Sequence, residues 1–244
     1  MSGPGPLVVV GGEEFMPGNE LQDELLVRAA RRLGEDRPAF VIATAAVRHS
    51  PERAVATARG WFAGLGLDVV ELPVRTRGRA NATETVELAG RGRFFYLCGG
   101  DPGIVPATLS GTAGWAAILD VWRDGAPLAG SSAGAMALGE WTLIRSRMPG
   151  DARREPREGL AVLPRAAVLP HFDDFGERWI DSATAALRGR DATLLGVDAR
   201  SAAVWSDGTW CAMGRGAVTV IDANGERRRF EPGEAISGLP APRA

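Results

Sequence analysis

Residues 127–141 read PLAGSSAGAMALGEW, a stretch in which an apolar segment turns into a good helix former through a run of small residues. The apolar residues 126–130 predict a strand, and residues 135–138 (AMAL) favour a helix. Between them, residues 130–134 (GSSAG) place Ser132 with a glycine two positions before it and another two positions after it. This Gly-x-Ser-x-Gly pattern is typical of a nucleophile elbow, in which a strained strand-to-helix turn holds a serine hydroxyl out to solvent. Small residues at such a turn also let a helix pack closely on a sheet, so the pattern alone leaves a catalytic role and a packing role open.

Apolar runs and amphipathic segments alternate in the chain before this stretch. The apolar runs predict buried strands at 7–10, 39–45, 67–72 and 93–100. The segments between them carry apolar residues at helical spacing, and Asn19 with Gln22 has the spacing of a helix capping box. Strands that are apolar on both faces and alternate with amphipathic helices indicate a mostly parallel sheet with helices on both sides.

The chain after the elbow has a different pattern. Residues 145–164 are rich in Arg, Pro and Gly and are interpreted as a surface loop, whereas an apolar run at 166–170 predicts a strand that leads into His171. Turn sequences at 206–208 (SDG) and 224–225 (NG) separate short apolar runs and predict β-hairpins.

These patterns together predict an α/β fold, a three-layer α/β/α sandwich with a mostly parallel central sheet and C-terminal β-hairpins that extend one edge. No repeat or linker divides the chain. Residues 1–244 are therefore expected to form a single domain with a core at about 7–236 and a frayed C-terminal tail.

The composition excludes several classes of function. A net charge of −2 provides no basic field, so neither nucleic acid nor a membrane is an expected partner. All 28 basic residues are arginine, which excludes any chemistry based on lysine. Cys98 and Cys211 are too few for a disulfide framework and suit a reducing compartment, and the N-terminus lacks the features of a signal peptide. A cytoplasmic location is therefore expected.

A serine needs a base to become a nucleophile, and the sequence contains only two histidines. His49 lies in a loop and is interpreted as a surface residue. His171 ends a predicted strand, as do Ser132 and the Gly99–Asp101 segment, and ligands of α/β folds bind at the carboxyl ends of strands. Ser131 is the alternative hydroxyl, but only Ser132 has glycine at both flanking positions.

An acyl-transfer site also needs donors for the developing oxyanion. The backbone N–H of Ala133, at the start of the predicted helix, is one candidate. The turn formed by Gly99 and Gly100 could supply a second donor, although a plain strand-to-helix turn explains this glycine pair equally well.

Four segments resemble, in order, motifs of the aspartyl dipeptidase (peptidase E) and cyanophycinase family of serine peptidases. They are FFYLCGGD (94–101), GSSAGAMAL (130–138), GLAVLP with the later HF (159–172) and GVDARSAAV (196–204). The resemblance implies a class I glutamine amidotransferase-like fold, with Ser132 as nucleophile, His171 as base, and Gly99, Gly100 and Ala133 as the oxyanion hole. It also implies hydrolysis of short or unusual peptides, with no cofactor and no metal.

The chain departs from the family pattern at three places. Pro102 and Pro170 replace the glutamines that the pattern has after Asp101 and before His171, and both changes argue against cyanophycin as the substrate. Ala199 stands where the family carries the glutamate that orients the histidine. Loss of that charge in a Ser-His-Asp triad lowers turnover by roughly 10⁴-fold, so reduced activity is expected unless another acid takes over.

Two carboxylates are candidates for the missing acid. Asp198 is slightly favoured because a bend at a strand end can re-aim its side chain, and Asp173, two residues after His171, is the alternative. A third possibility is that neither carboxylate serves.

Three functional hypotheses follow. The leading one is a serine peptidase that cleaves a short peptide or related amide through an acyl-enzyme on Ser132. Members of the family that it resembles differ in oligomeric state, and the sequence leaves a homo-oligomer open. The second is an impaired family member that binds a ligand or a partner. A glutamine amidotransferase is excluded because that chemistry requires a cysteine at the elbow, whereas Cys98 lies within a predicted strand.

Overall fold

The computed structural model describes residues 3–145 and 154–243. In chain order the strands are β1 (Leu7–Val10), β2 (Ala39–Ile42), β3 (Val69–Glu71), β4 (Phe94–Leu97), β5 (Leu128–Ser131), β6 (Gly139–Arg145), β7 (Arg154–Glu158), β8 (Leu163–Pro170), β9 (Thr193–Val197), β10 (Ser201–Ser206), β11 (Thr209–Gly214), β12 (Val218–Ile221) and β13 (Arg227–Phe230). The helices are α1 (Glu20–Arg31), α2 (Pro51–Gly64), α3 (Arg77–Ala80), α4 (Thr83–Gly90), α5 (Ile104–Leu109), α6 (Ala113–Arg123), α7 (Ala133–Leu138) and α8 (Phe172–Ala186).

The first sheet has seven strands in the order β11-β10-β1-β5-β4-β2-β3. The five strands from β1 to β3 are parallel, and the hairpin β10–β11 joins the sheet antiparallel to β1. The predicted mostly parallel central sheet is therefore confirmed, but only the hairpin β10–β11 extends its edge; the hairpin β12–β13 belongs to a second sheet.

Helices cover both faces of this sheet. On one face, Leu26 of α1 and Phe62 of α2 are buried in a cluster with side chains of the central strands. On the other face, Trp115 and Trp122 of α6 belong to the largest buried cluster. Strands that are buried on both sides need apolar residues throughout, which is why β1 reads LVVV and β4 reads FFYL. Within the described ranges, no helix is both long and apolar enough to cross a membrane.

A second sheet of six strands, in the order β13-β12-β9-β8-β6-β7, was not expected from the sequence. Strands β6, β8 and β9 are parallel to one another, whereas β7, β12 and β13 are antiparallel to their neighbours. The prediction of a surface loop over 145–164 is wrong where β7 pairs with β6 and where β8 begins; residues 146–153 of that prediction lie outside the described residues.

The C-terminal tail contacts the body of the protein through two hydrogen bonds. The indole N–H of Trp210 donates a hydrogen bond of 2.9 Å to the carbonyl of Pro240. The backbone N–H of Arg243 donates to the carbonyl of Val162 over 2.8 Å.

The strand register brings the carboxyl ends of several strands to one place. Val10, the last residue of β1, pairs with Ser131, and Leu97, the last residue of β4, pairs with Gly130. The second sheet joins this edge at the end of β8, where the backbone N–H of His171 donates to the carbonyl of Gly11 over 2.7 Å. Loops from both sheets therefore meet at the carboxyl edge, where α/β folds bind their ligands.

Candidate active site

Ser132 lies on a strained turn between β5 and α7. Its backbone has φ 50° and ψ −114°, a region that residues with a side chain rarely adopt. Glycine is required on both sides because of close backbone contacts. A Cβ on Gly130 would lie 2.6 Å from the carbonyl oxygen of Gly134, and a Cβ on Gly134 would lie 2.3 Å from that of Leu97. These contacts explain why the sequence has Gly-x-Ser-x-Gly here.

The two neighbouring hydroxyls have different surroundings. Ser131 is fully buried, and its Oγ donates a hydrogen bond of 2.8 Å to Oε2 of Glu14. Ser132 is partly exposed and lines a cleft with a volume of about 1410 Å³. Of the two serines, only Ser132 therefore presents its hydroxyl to a ligand in the cleft.

His171 also lines this cleft, and its Nε2 lies 3.3 Å from Oγ of Ser132. His171 is the N-cap residue directly before α8, and its backbone is in the left-handed conformation, with φ 48° and ψ 47°. Gly12 makes room for its ring, because a Cβ on Gly12 would lie 2.2 Å from Cε1 of the imidazole. The ring of Phe175 packs against the imidazole edge to face, with a centroid distance of 6.3 Å. His49, the other histidine, is exposed and outside the cleft.

The structure does not bring the expected acid to His171. The Oδ2 atom of Asp198 accepts a hydrogen bond of 2.9 Å from the backbone N–H of Ala217 and lies 3.5 Å from the guanidinium of Arg229. Burial raises the pKa of Asp198, opposed by the Ala217 hydrogen bond and the charge of Arg229. The bend at the end of β9 thus turns this carboxylate toward Ala217 and Arg229 rather than toward the imidazole.

Asp173 is engaged elsewhere as well, because its Oδ1 accepts a hydrogen bond of 2.9 Å from the backbone N–H of Ala199. Among the described residues, no carboxylate forms a hydrogen bond with the imidazole of His171. Among the residues that the structure describes, the Ser132–His171 pair therefore has no hydrogen-bonded carboxylate as a third member.

The three expected oxyanion donors differ in their orientation. The N–H of Gly99 donates to Oε1 of Glu14 over 2.8 Å, so this group is already occupied. Gly100 and Ala133 line the cleft, and their N–H groups have no acceptor among the described residues. Only glycine fits at position 100, where φ is 144° and a Cβ would lie 2.2 Å from the carbonyl oxygen of Ala45. The geometry therefore leaves two of the three donors available to an oxyanion.

Five arginines and two tryptophans line the cleft, together with the acidic residues Asp101, Glu155 and Glu158. The guanidinium of Arg154 lies 3.7 Å above the ring of Trp179, and that of Arg190 lies 4.7 Å from the ring of Trp141. Burial and the nearby charge of Arg145 lower the pKa of Arg154. Within the part of the chain that the structure describes, none of these three arginines has an acidic partner.

Two of the sequence departures also lie in the cleft wall. Pro102 and Pro170 both line the cleft, the latter directly before His171. Asp101 accepts a hydrogen bond of 2.9 Å from Arg48. A proline offers no side-chain donor or acceptor, so these two positions present apolar surface to a ligand.

Glu14 was missed by the sequence analysis, although its carboxylate contacts both Gly99 and Ser131. The sequence offered one signal for Glu14, which is its position two residues after the glycine pair (11–12) that follows β1. An acidic residue in a loop is ordinarily interpreted as a solvated side chain, and the spacing gave no reason to connect it to the elbow.

Comparisons with known proteins identify the family of the chain. The sequence model of Peptidase family S51 matches residues 7–211. Two curated proteins named cyanophycinase, from Synechococcus elongatus and Thermosynechococcus vestitus, are each 28% identical over 222 residues, which cover 88% of this chain and 67% of the relative.

Solved structures show the same relationship. The crystal structure of a peptidase from an acI-B1 Actinobacterium has a TM-score of 0.84 at 30% identity, and the match covers 97% of this chain and 98% of that one. A putative peptidase E protein from Listeria monocytogenes has a TM-score of 0.61 at 15% identity, over 87% and 99% of the two chains, and supports the fold alone. The elbow, its histidine and these matches lead to one conclusion: the chain belongs to peptidase family S51, with the class I glutamine amidotransferase-like fold of that family.

Proposed function

We propose that this protein is a serine peptidase that hydrolyses a short peptide or related amide through an acyl-enzyme on Ser132. The observation that carries the proposal is the 3.3 Å approach of Ser132 Oγ to His171 Nε2 at the floor of the cleft. Catalytic hydrogen bonds are often long before substrate binds, so this distance is compatible with proton transfer in the substrate complex.

The proposed reaction has two halves. The unprotonated Nε2 of His171 takes the proton of the Ser132 hydroxyl while Oγ attacks the carbonyl carbon of the scissile amide. The negative charge that develops on the carbonyl oxygen is stabilised by the N–H groups of Gly100 and Ala133. The imidazolium then gives its proton to the leaving amine as the C–N bond breaks, and a water molecule activated by the same imidazole hydrolyses the ester.

The wall of the cleft supports a substrate that carries a carboxylate. Arg145, Arg154 and Arg190 bring three positive charges that are not balanced by acidic partners among the described residues. Guanidinium groups stacked on tryptophan rings are held in place and can form paired hydrogen bonds with a carboxylate. Short peptides with a free carboxylate are therefore the proposed substrates, and the protein is proposed to act on them in the reducing cytoplasm, where its two cysteines remain free.

A second candidate function is supported by a specific observation. No carboxylate of the described residues holds the imidazole of His171, and an unsupported imidazole is a weaker base. An S51 fold with impaired hydrolysis would use the same cleft to bind a peptide without cleaving it.

A fluorophosphonate probe separates the two functions. Such probes react with an activated serine, and the proposed peptidase is expected to be labelled at Ser132. Trypsin releases residues 124–145 as one peptide that contains both Ser131 and Ser132, so fragmentation must locate the label. Absence of labelling, together with saturable binding of short peptides, would favour the binding protein over the peptidase.

The missing acid leads to a further prediction. We expect Ala199→Glu to raise kcat by roughly 10- to 100-fold, because an added carboxylate would fix the tautomer of His171 and stabilise its imidazolium. The measurement is kcat for one activated ester or peptide at pH 7. Ala199→Gln is the matched control, since it adds a side chain of the same size without the charge and should give little gain.

Asp198→Asn, in the natural protein and combined with Ala199→Glu, completes the test. We expect a small effect in both backgrounds because Asp198 contacts Ala217 and Arg229. If Ala199→Glu gave no gain and Asp198→Asn lowered kcat several hundredfold, Asp198 would be the working acid after all.

A further inference from the structure

The loop that follows β1 contacts His171 and the residues directly before Ser132 and Gly100. The carbonyl of Gly11 accepts the hydrogen bond from the backbone of His171, and Gly12 packs against the imidazole ring. Two residues later, Glu14 reaches the opposite side of the site, behind Ser132. This loop, residues 11–14, thus lies between the base and the elbow.

The carboxylate of Glu14 joins two segments that are distant in sequence. One oxygen accepts the N–H of Gly99 over 2.8 Å, and the other accepts the hydroxyl of Ser131 over 2.8 Å. Each partner immediately precedes a functional group of the proposed site: Gly99 precedes the oxyanion donor Gly100, and Ser131 precedes the nucleophile Ser132.

From these contacts we infer that Glu14 is a positioning residue, which fixes the distance between the nucleophile and the oxyanion donor of Gly100. The inference rests on the proposed function and names a residue that neither the elbow motif nor the triad contains. A carboxylate suits the task because both of its oxygens accept hydrogen bonds while both partners donate.

The surrounding space is tight enough for this link to control geometry. A Cβ on Gly99 would lie 2.8 Å from Oε1 of Glu14 and 3.3 Å from Cβ of Ser132, so Gly99 is packed closely between these two residues. When the N–H of Gly99 is held toward Glu14, the following amide of Gly100 remains free on the side of the cleft. Reacting groups must be placed to within a fraction of an ångström, and small displacements lower the rate strongly.

Two substitutions separate the positioning effect from the charge of Glu14. Glu14→Gln can retain both hydrogen bonds, because its amide oxygen accepts from Gly99 and its NH₂ group can donate to the hydroxyl oxygen of Ser131. Glu14→Ala removes both bonds. We expect Glu14→Ala to lower kcat and the rate of fluorophosphonate labelling by about 10- to 100-fold with KM changed less than about 3-fold, and Glu14→Gln to stay within about 5-fold of the natural protein.

A structural readout accompanies the rates. Amide hydrogen exchange of the segment 98–100, followed by mass spectrometry, should be faster in Glu14→Ala and unchanged in Glu14→Gln. Glu13→Gln is the matched control, because Glu13 is an exposed neighbour that pairs with Arg200, and it should change neither rate nor exchange.

The outcomes distinguish this inference from the proposed function. Labelling of the natural protein at Ser132 with an unchanged rate in Glu14→Ala would overturn the inference alone. Equal losses in Glu14→Gln and Glu14→Ala would assign the effect to charge and overturn positioning. A natural protein that is not labelled at Ser132 would refute both.

If circular dichroism shows that Glu14→Ala is unfolded, Ser131→Ala replaces it as the test. We expect about a 3-fold loss of labelling rate, and an unchanged rate would overturn the inference.

Discussion

Ser132→Ala is expected to reduce peptide hydrolysis by at least about 10⁴-fold, because the variant lacks the oxygen that forms the acyl-enzyme. The strained backbone at φ 50° should persist in the variant, since it is fixed by the close contacts of the flanking glycines rather than by the hydroxyl. Substrate should therefore still bind. The measurement is kcat/KM for a short peptide that carries a free carboxylate, combined with a direct binding assay.

Ser131→Ala is the matched control for this prediction. Both variants lose one hydroxyl from adjacent residues, but Ser131 is buried against Glu14 and does not line the cleft. We expect Ser131→Ala to retain a substantial fraction of the activity, with a loss of only a few-fold through the weakened contact to Glu14. Activity that survives Ser132→Ala, or a label that moves to Ser131, would contradict the assignment of the nucleophile.

The central sheet was predictable because its strands are buried on both faces. Runs such as LVVV in β1, and the glycine pairs that follow β1 and β4, are local signals of the strands and of the loops at their carboxyl ends. The strand before the elbow was also predicted, from its apolar residues. The small residues of the elbow are required by close backbone contacts with neighbouring segments.

The second sheet was not predictable by the same reasoning. Its edge strand β7 reads REPRE, and all of its residues are half-buried or exposed. Such a strand has no apolar alternation, and the proline at position 156 reads as a loop signal. It pairs with β6, and Arg154 stacks on Trp179 of α8; neither partner is visible in a local sequence pattern.

The proposed site shows the same difference between residues that carry a local sequence signal and residues whose contacts are distant in sequence. Ser132 and His171 could be found because each carries a local signal, a motif in one case and a strand end in the other. The contacts of Glu14 span 85 and 117 residues, and those of Asp198 depend on how β9 bends, so spacing alone could not supply either. Asp198 was favoured as the acid because a bend at a strand end can re-aim a side chain, and in the structure its carboxylate contacts Ala217 and Arg229.

The second large effect concerns His171. If its imidazole is the base, kcat/KM should rise with pH, because only the neutral form of the imidazole accepts the proton of Ser132. His171→Asn should lower kcat/KM by about 10⁴-fold or more and remove this rise. Asparagine is the appropriate replacement because it tolerates the left-handed backbone at φ 48° better than alanine does.

His49→Asn provides the control, since it removes the other imidazole of the chain from an exposed position outside the cleft. The pH profile of this variant should match that of the natural protein. A rise that persists in His171→Asn would have to come from a different group, and the assignment of His171 as the base would then be wrong. A rise that disappears only in His171→Asn would connect the 3.3 Å contact between Nε2 and the Ser132 hydroxyl to the reaction itself.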